Sequence, residues 1–247
     1  MWDDAKTLNA AALTLAALAV AAIAWGCVAW LVRQPAFAFR DVVVMTPLAR
    51  ASAPHLEAVI RGELTGTFFT LNLERARATL AKVPWVRGVA LRRQWPRRLE
   101  VTIEEHAPLA RWNDGSLVNV QGEVFTAAWD GELPQFTGPE GRSNAMTERF
   151  IEWGAALAPL GLAMRAITLS ARDGWSLKAA GSAGPLSIEL GRDDPGARLA
   201  RFVAAHGRTL GALERAGTVV THVDLRYRNG FAARVPGFRE KPARKAA

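Results

Sequence analysis

From Leu8 to Val32 the chain runs for 25 residues without a charge, and only Asn9 and Thr14 are polar side chains. As a helix rising ~1.5 Å per residue, this run reaches about 37 Å, enough to cross a hydrocarbon core of roughly 30 Å with some tilt. Trp25 and Trp30 stand near its end, where an interfacial aromatic belt would place them. The run predicts a membrane-spanning helix over 8–32 behind a short head, 1–7. A cleaved signal peptide is the rival reading, since Ala36 and Ala38 form a small-x-small pattern just past the run. A signal peptide's apolar region is typically about 7 to 15 residues behind a basic head. This one is longer and follows Asp3, Asp4 and Lys6, so a retained anchor is the better reading. Lys6 is the only basic side chain before the span, whereas Arg33, Arg40 and Arg50 follow it closely. That count would keep the rest of the chain inside, yet long domains translocate largely regardless of charge. The residues alone leave the side open.

Half of the 247 residues are hydrophobic, which supports a sizeable core and excludes disorder throughout. Cys27 is the only cysteine, and His55, His106, His206 and His222 lack any paired spacing, so disulfide scaffolds and zinc ribbons are excluded. A net charge of +8 would suit nucleic acid or an anionic membrane surface without requiring either.

Beyond the span the chain reads as two domains and a tail. In 37–107 the order is strand, helix, helix, strand, strand. Val42–Met45 is β-branched, Pro54 opens a helix through Ile60, and Asn72 is the N-cap of a helix over Leu73–Lys82. Val89 and Leu91 then alternate with Ala90 and Arg92, and Leu99, Val101 and Ile103 with Glu100, Thr102 and Glu104. Trp95-Pro96-Arg97-Arg98 joins the two strands. In 108–236 short strands dominate: Leu117–Val120 and Glu123–Thr126 around Gln121-Gly122, then Met164–Ala171, Trp175–Ala180 and Leu186–Leu190. Two helices interrupt them. Met146–Leu157 faces Phe150, Ile151 and Leu157 inward, and Pro195–Leu213 carries Leu199, Phe202, Val203, His206 and Leu210 on one stripe. Val219–Tyr227 alternates as a strand, and Asn229-Gly230 turns it into Phe231–Val235 as a terminal hairpin. Residues 237–247 read as a disordered basic tail. The fold class expected is α+β: one N-terminal transmembrane helix, a small β-α-α-β-β domain, and a mostly antiparallel β domain with two helices.

The chemistry of an enzyme is not legible. Gly181-Ser182-Ala183-Gly184 has no lysine and reads as a turn, and no G-x-S-x-G elbow occurs. Glu100, Glu104 and Glu105 read as a solvated strand face rather than an acid-base pair. His222 with Asp224 lacks a nucleophile and reads as a surface hydrogen bond. Arg92, Arg93, Arg97 and Arg98 with Trp85 and Trp95 form the densest basic and aromatic cluster, but alternation puts Arg92 and Arg93 on opposite faces, so no nucleic-acid stripe forms.

Phe39-Arg40-Asp41-Val42, Asn72-Leu73, Pro84-Trp85-Val86, Arg92-Arg93-Gln94-Trp95-Pro96 and the stretch Glu105–Trp112 resemble the polypeptide-transport-associated (POTRA) domain of the bacterial FtsQ/DivIB cell-division family. Gly138-Pro139-Glu140-Gly141, Ala171–Trp175, Leu190-Gly191-Arg192, Arg198–Val203 and Val223–Tyr227 resemble that family's second, β domain. The resemblance covers essentially the whole chain. It implies a single-pass inner-membrane protein at the division septum, with its amino terminus in the cytoplasm and both domains in the periplasm. It implies no catalytic activity, no cofactor or metal, and no nucleic-acid or small-molecule ligand. The implied partners are the coiled-coil proteins FtsB and FtsL at the β domain, with other division proteins recruited through the POTRA domain.

A final strand has one neighbour, and its free side can accept an incoming peptide strand. Phe231–Val235 is the expected edge. Carried over from the resemblance, the FtsB contacts fall on Arg172, Arg226, Tyr227, Asn229 and Gly230, with Phe231 opening the strand. Tyr227 is the expected anchor, because tyrosine offers large contact area at low entropy cost. The alternative for Tyr227 is a place in the sheet's core, to which the same alternation would assign it. The runner-up function is another POTRA-bearing envelope assembly or secretion factor, although such proteins usually repeat the POTRA unit or add a β-barrel.

Overall fold

The computed structural model of the chain describes residues 5–63 and 66–236. Residues 1–4 of the expected head, and the whole of the expected tail, 237–247, lie outside them. The chain divides into two compact units, Met1–His106 and Ala107–Ala247.

The first unit opens with α1 (Ala5–Leu31), of which Leu8–Leu31 is long and apolar enough to cross a membrane. Nothing in that stretch is buried against the protein, and Leu13, Val20, Ile23 and Trp30 all lie bare. A short 3-10 turn, Pro35–Phe37, follows. Next come β1 (Asp41–Val44), α2 (Ala53–Glu63), α3 (Leu73–Leu80), β2 (Val86–Gln94) and β3 (Arg98–Glu105), in the order read from the sequence. The sheet runs β1-β3-β2, with β1 parallel and β2 antiparallel to the central strand. Leu99, Val101 and Ile103 alternate inward along β3 and pack with Leu56 of α2 and Leu80 of α3. Asn72 caps α3, its Oδ1 accepting the Arg75 N–H at 2.9 Å.

Glu105 departs from the solvated face expected of it. Its carboxylate accepts the backbone N–H groups of Ala49, Arg50 and Ala51, the last at 2.7 Å, just ahead of α2. Partial burial pushes its pKa up, but the three N–H donors and the nearby Arg50 charge outweigh that and hold the carboxyl below its ordinary value. Arg93 also turns inward, donating from Nη2 to the Leu71 carbonyl at 2.6 Å.

The second unit is built on one nine-stranded sheet. In chain order its strands are β4 (Pro108–Trp112), β5 (Ser116–Asn119), β6 (Val124–Phe125), β7 (Gln135–Thr137), β8 (Ala163–Leu169), β9 (Trp175–Gly181), β10 (Gly184–Gly191), β11 (His222–Asp224) and β12 (Ala232–Arg234). They lie in the order β12-β11-β10-β9-β8-β7-β4-β5-β6. Pairing is mostly antiparallel, with parallel steps at β4–β7, β7–β8 and β10–β11. Register aligns one residue from each of seven strands, β4 and β7–β12, into a row across the sheet: Trp112, Phe136, Ile167, Leu177, Ile188, Val223 and finally Ala233. All but Ala233 are buried. Met146, Trp153 and Leu157 of α4 (Ser143–Leu157) pack on this core, as do Leu199 and Phe202 of α5 (Pro195–His206) and Leu210 of α6 (Leu210–Arg215).

Three local expectations need correction. The helix expected over 195–213 is two helices, because Gly207 interrupts it and Thr209 bonds back to the Ala205 carbonyl at 2.9 Å. Ile151 points outward with 54% exposure, since Met146, Trp153 and Leu157 supply α4's buried face. The strand expected over 219–227 pairs only at His222–Asp224, so Tyr227 falls beyond the sheet.

Candidate partner-binding edge

At one end of the nine-stranded sheet lies β12, hydrogen-bonded to β11 alone among the described residues. Its three residues, Ala232, Ala233 and Arg234, are all exposed. Such a strand presents one row of backbone N–H and C=O groups to solvent. Its seat in the sheet comes from the flanking apolar residues. Phe231 and Val235 are half-buried against the core, and the Phe231 ring meets Phe202 edge to face at 5.8 Å between centroids.

The segment joining β11 to β12 is braced by charged groups. Asp224, its side chain largely buried, receives Arg226 Nε at 2.9 Å and Nη2 at 2.7 Å, and also accepts the Arg226 backbone N–H at 3.0 Å. The Arg226 hydrogen bond, outweighing the opposing effect of partial burial, holds the Asp224 carboxyl below its ordinary value. Reciprocally, Asp224 raises the pKa of the Arg226 guanidinium. Asp224 thus commits its carboxylate to Arg226, and the surface bond expected with His222 is not the one formed. From α5, Arg201 Nη1 reaches the Arg228 carbonyl at 2.7 Å and Arg198 Nη1 the Leu190 carbonyl at 2.6 Å. Gly191 is needed at this crossing. Its φ is +72°, and a Cβ there would stand 2.7 Å from Arg198 Nη1 and 3.1 Å from Arg226 Cγ.

Two depressions flank the braced segment. One, of about 360 Å³, is lined by Arg172 and Arg226 with Ser170, Asp193 and Arg198. The other, of about 540 Å³, is lined by Asn229, Gly230 and Phe231 with Arg201 and Phe202. The six residues singled out in the sequence therefore gather near one end of the sheet, although Arg172 comes from the β8–β9 turn. Tyr227 is 56% exposed, which removes the alternative of a core tyrosine. A Cβ on Gly230 would meet nothing within 4 Å, so that position is open to an approaching backbone. Phe231 is half-buried on Phe202 and seats the strand. Among the described residues, no group of three or more His, Cys, Asp or Glu side chains could hold a metal ion.

Residues 37–106 match the family described as POTRA domain, FtsQ-type, and residues 110–226 match the family described as Cell division protein FtsQ/DivIB, C-terminal. The chain is 38% identical over 246 residues to Cell division protein FtsQ of Burkholderia pseudomallei, covering 97% of this chain and 96% of that one. It is 37% identical to its counterpart in Bordetella pertussis, covering 94% and 92%. It is 32% identical over 172 residues to that of Escherichia coli, covering 68% and 61%. The chain belongs to the FtsQ/DivIB cell-division family. FtsQ membership supports a role in the division machinery, and with α1 it describes a single-pass membrane protein of that machinery. The FtsQ family match ends at residue 226, just short of Tyr227 and the edge strand. Sequence reasoning missed Arg198, Arg201 and Asp224 as the braces of this edge. Arg198 and Arg201 lie at α-helical spacing one turn apart on α5, a signal of a shared face that could have drawn attention to them.

Proposed function

We propose that this protein is a non-enzymatic scaffold of the divisome. In this reading α1 crosses the inner membrane with the amino terminus in the cytoplasm, a POTRA domain (37–107) and a β domain (108–236) stand in the periplasm, and the protein works at the septum. The POTRA domain recruits it to other division proteins. The β domain binds FtsB, and with it FtsL, by strand addition at β12, with Arg172, Arg226, Tyr227, Asn229, Gly230 and Phe231 as the contact surface.

The observation that carries this reading is the open edge of the nine-stranded sheet. An added strand satisfies the free backbone groups of β12. A side chain placed opposite Ala233 extends the buried row that begins at Trp112, and an apolar residue there adds to the core. Tyr227 stands beside the edge as an exposed aromatic, and Arg172 and Arg226 give the neighbouring depression a basic lining suited to an acidic segment.

Tyr227→Ala in the full chain is expected to weaken binding of an FtsB carboxyl-terminal fragment by about 2 kcal/mol or more, as an interface anchor does. Gly230→Asp, which adds bulk and negative charge in open space, is expected to abolish binding. Circular dichroism should be unchanged in both, because neither site supports packing. Titration calorimetry showing wild-type affinity in both variants would remove β12 as the binding edge.

A further inference from the structure

The segment 66–71 of the first unit is fastened to the end of the spanning helix. The Thr67 hydroxyl donates to the Val32 carbonyl at 2.6 Å, Phe68 N–H donates to the Phe37 carbonyl at 2.8 Å, and Thr67 bridges Ala38. Thr70 shares a small crevice with Trp25, Val28, Ala29 and Val32, the last turns of α1 and the residue after it. The apolar helix ends at Leu31. These contacts therefore set the segment at the level of the headgroup layer, about 5–7 Å thick on each side of the hydrocarbon.

From this point aromatic rings run outward in edge contacts. Phe37 meets Phe69 at 5.2 Å, Phe69 meets Phe68 at 5.3 Å, and Phe68 meets Trp95 at 5.5 Å. Phe69 is 48% and Trp95 65% exposed, unusual for large apolar rings unless something covers them. Around Trp95 a depression of about 700 Å³ is lined by Arg40, Arg97 and Arg98, with Asp41 as its one acid. Among the described residues, no side-chain hydrogen bond or ion pair engages these three guanidinium groups or that of Arg33. Interfacial rings beside uncommitted arginines, continuous with a membrane span, match the two preferences of a phospholipid headgroup layer: amphipathic aromatics at its depth and guanidinium forks for its phosphates.

We propose that this cluster seats the first unit on the bilayer surface, with Phe69 and Trp95 in the headgroup layer and Arg40, Arg97 and Arg98 on the phosphates of anionic phospholipids. The unit is thereby held flat against the membrane at a second point besides α1. The positive charges that follow the span, which run against the usual count for an outward-facing domain, have a surface-binding role in this arrangement.

The test uses the full chain with Cys27→Ser, and Gln94→Cys carrying an environment-sensitive fluorophore, in nanodiscs of phosphatidylcholine with or without phosphatidylglycerol. The discs contain a lipid that quenches near the headgroups. Strong quenching is expected in anionic discs, with loss in the Phe69→Ser/Trp95→Ser variant, whose circular dichroism checks that the exposed sites were altered without unfolding. Arg40→Gln, Arg97→Gln and Arg98→Gln should each lower the docked-to-free ratio about fivefold in anionic discs and change little in neutral ones. Three results overturn the proposal: no quenching in the parent chain, as an acidic protein occupant would give; equal quenching in neutral and anionic discs; or quenching that survives every substitution, which the tether of α1 alone would produce.

Discussion

The outer strand β2 of the three-stranded sheet is nine residues long, bears Arg87, Arg92 and Arg93, and carries a register shift between Val86 and Gly88. The outer strand β12 of the nine-stranded sheet has three residues, two of them alanine. Charge and bulges along an edge are devices that discourage strand addition, and shortness is another; what distinguishes β12 is that two of its three side chains are alanine, small enough to let another backbone come close. The charges that brace each unit also differ in place. In the first unit Glu105 and Arg93 hold backbone groups of loops that lead into α2 and α3. In the second, Asp224, Arg198 and Arg201 concentrate around the segment that leads into β12. Among the described residues an open edge is common to both sheets, but only one is framed by a braced segment with an exposed tyrosine.

The largest expected effect tests whether the two units stand on separate cores. Phe136, fully buried between Trp112 and Ile167 in the cross-sheet row, belongs to one core and Leu99, fully buried on β3, to the other. Phe136→Ala should cost about 4 kcal/mol and Leu99→Ala about 3 kcal/mol. In denaturant unfolding of the full chain each should shift its own transition, and only Phe136→Ala should diminish binding at β12. One shared transition moved equally by both would erase the contrast between the units.

The sequence displayed the first unit almost entirely, because its elements are signalled locally: the Asn72 cap, the alternation along β3, and the short connection at Trp95-Pro96. The second unit was less legible where its order depends on distant partners. β7 is silent in the sequence because Phe136 meets Trp112 and Ile167 through parallel steps that leave no turn signature, whereas β4 is joined to β5 by an antiparallel hairpin whose Asp114-Gly115 turn is a legible signal. Alternation over 219–227 overstated the last strand, since β10 and β12 are aligned with only His222–Asp224. The site residues came from a resemblance rather than from periodicity; the spacing of Arg198 and Arg201 marks a shared helix face, but only the fold brings that face to the Arg228 carbonyl. Glu105 was misread for a similar reason: its N–H partners lie 54 to 56 residues away in the chain.

A smaller effect concerns those internal charges. Glu105→Ala leaves three N–H groups without their acceptor and should cost the first unit about 2 kcal/mol, read from its unfolding midpoint. Because the native pKa of Glu105 lies below its ordinary 4.5, its contribution is fully present above that value and is lost as pH falls from there through the lowered native value. Asp224 has the same sign, with its loss beginning only below its ordinary 3.8. On acidification the first unit should therefore loosen before the second, and Glu105→Gln should remove the earlier phase. Simultaneous loosening, or an earlier phase that survives Glu105→Gln, would mean that this carboxylate does not set the acid limit of its unit.

The smallest effect separates bracing from contact at the edge. Arg201 Nη1 donates to the Arg228 carbonyl from an exposed helix position, so Arg201→Ala should lower the stability of the second unit by no more than about 1 kcal/mol. Its larger consequence should be on the segment from Arg226 to Gly230, which would then be ordered only when the partner arrives. Ordering side chains at an interface costs about 1 kcal/mol each, so a roughly fivefold loss of FtsB affinity is expected, with Arg201→Lys recovering part of it through a single donated bond. A loss as large as that of Tyr227→Ala would instead place Arg201 in direct contact with the partner, and no loss at all would show that the segment keeps its shape without the brace.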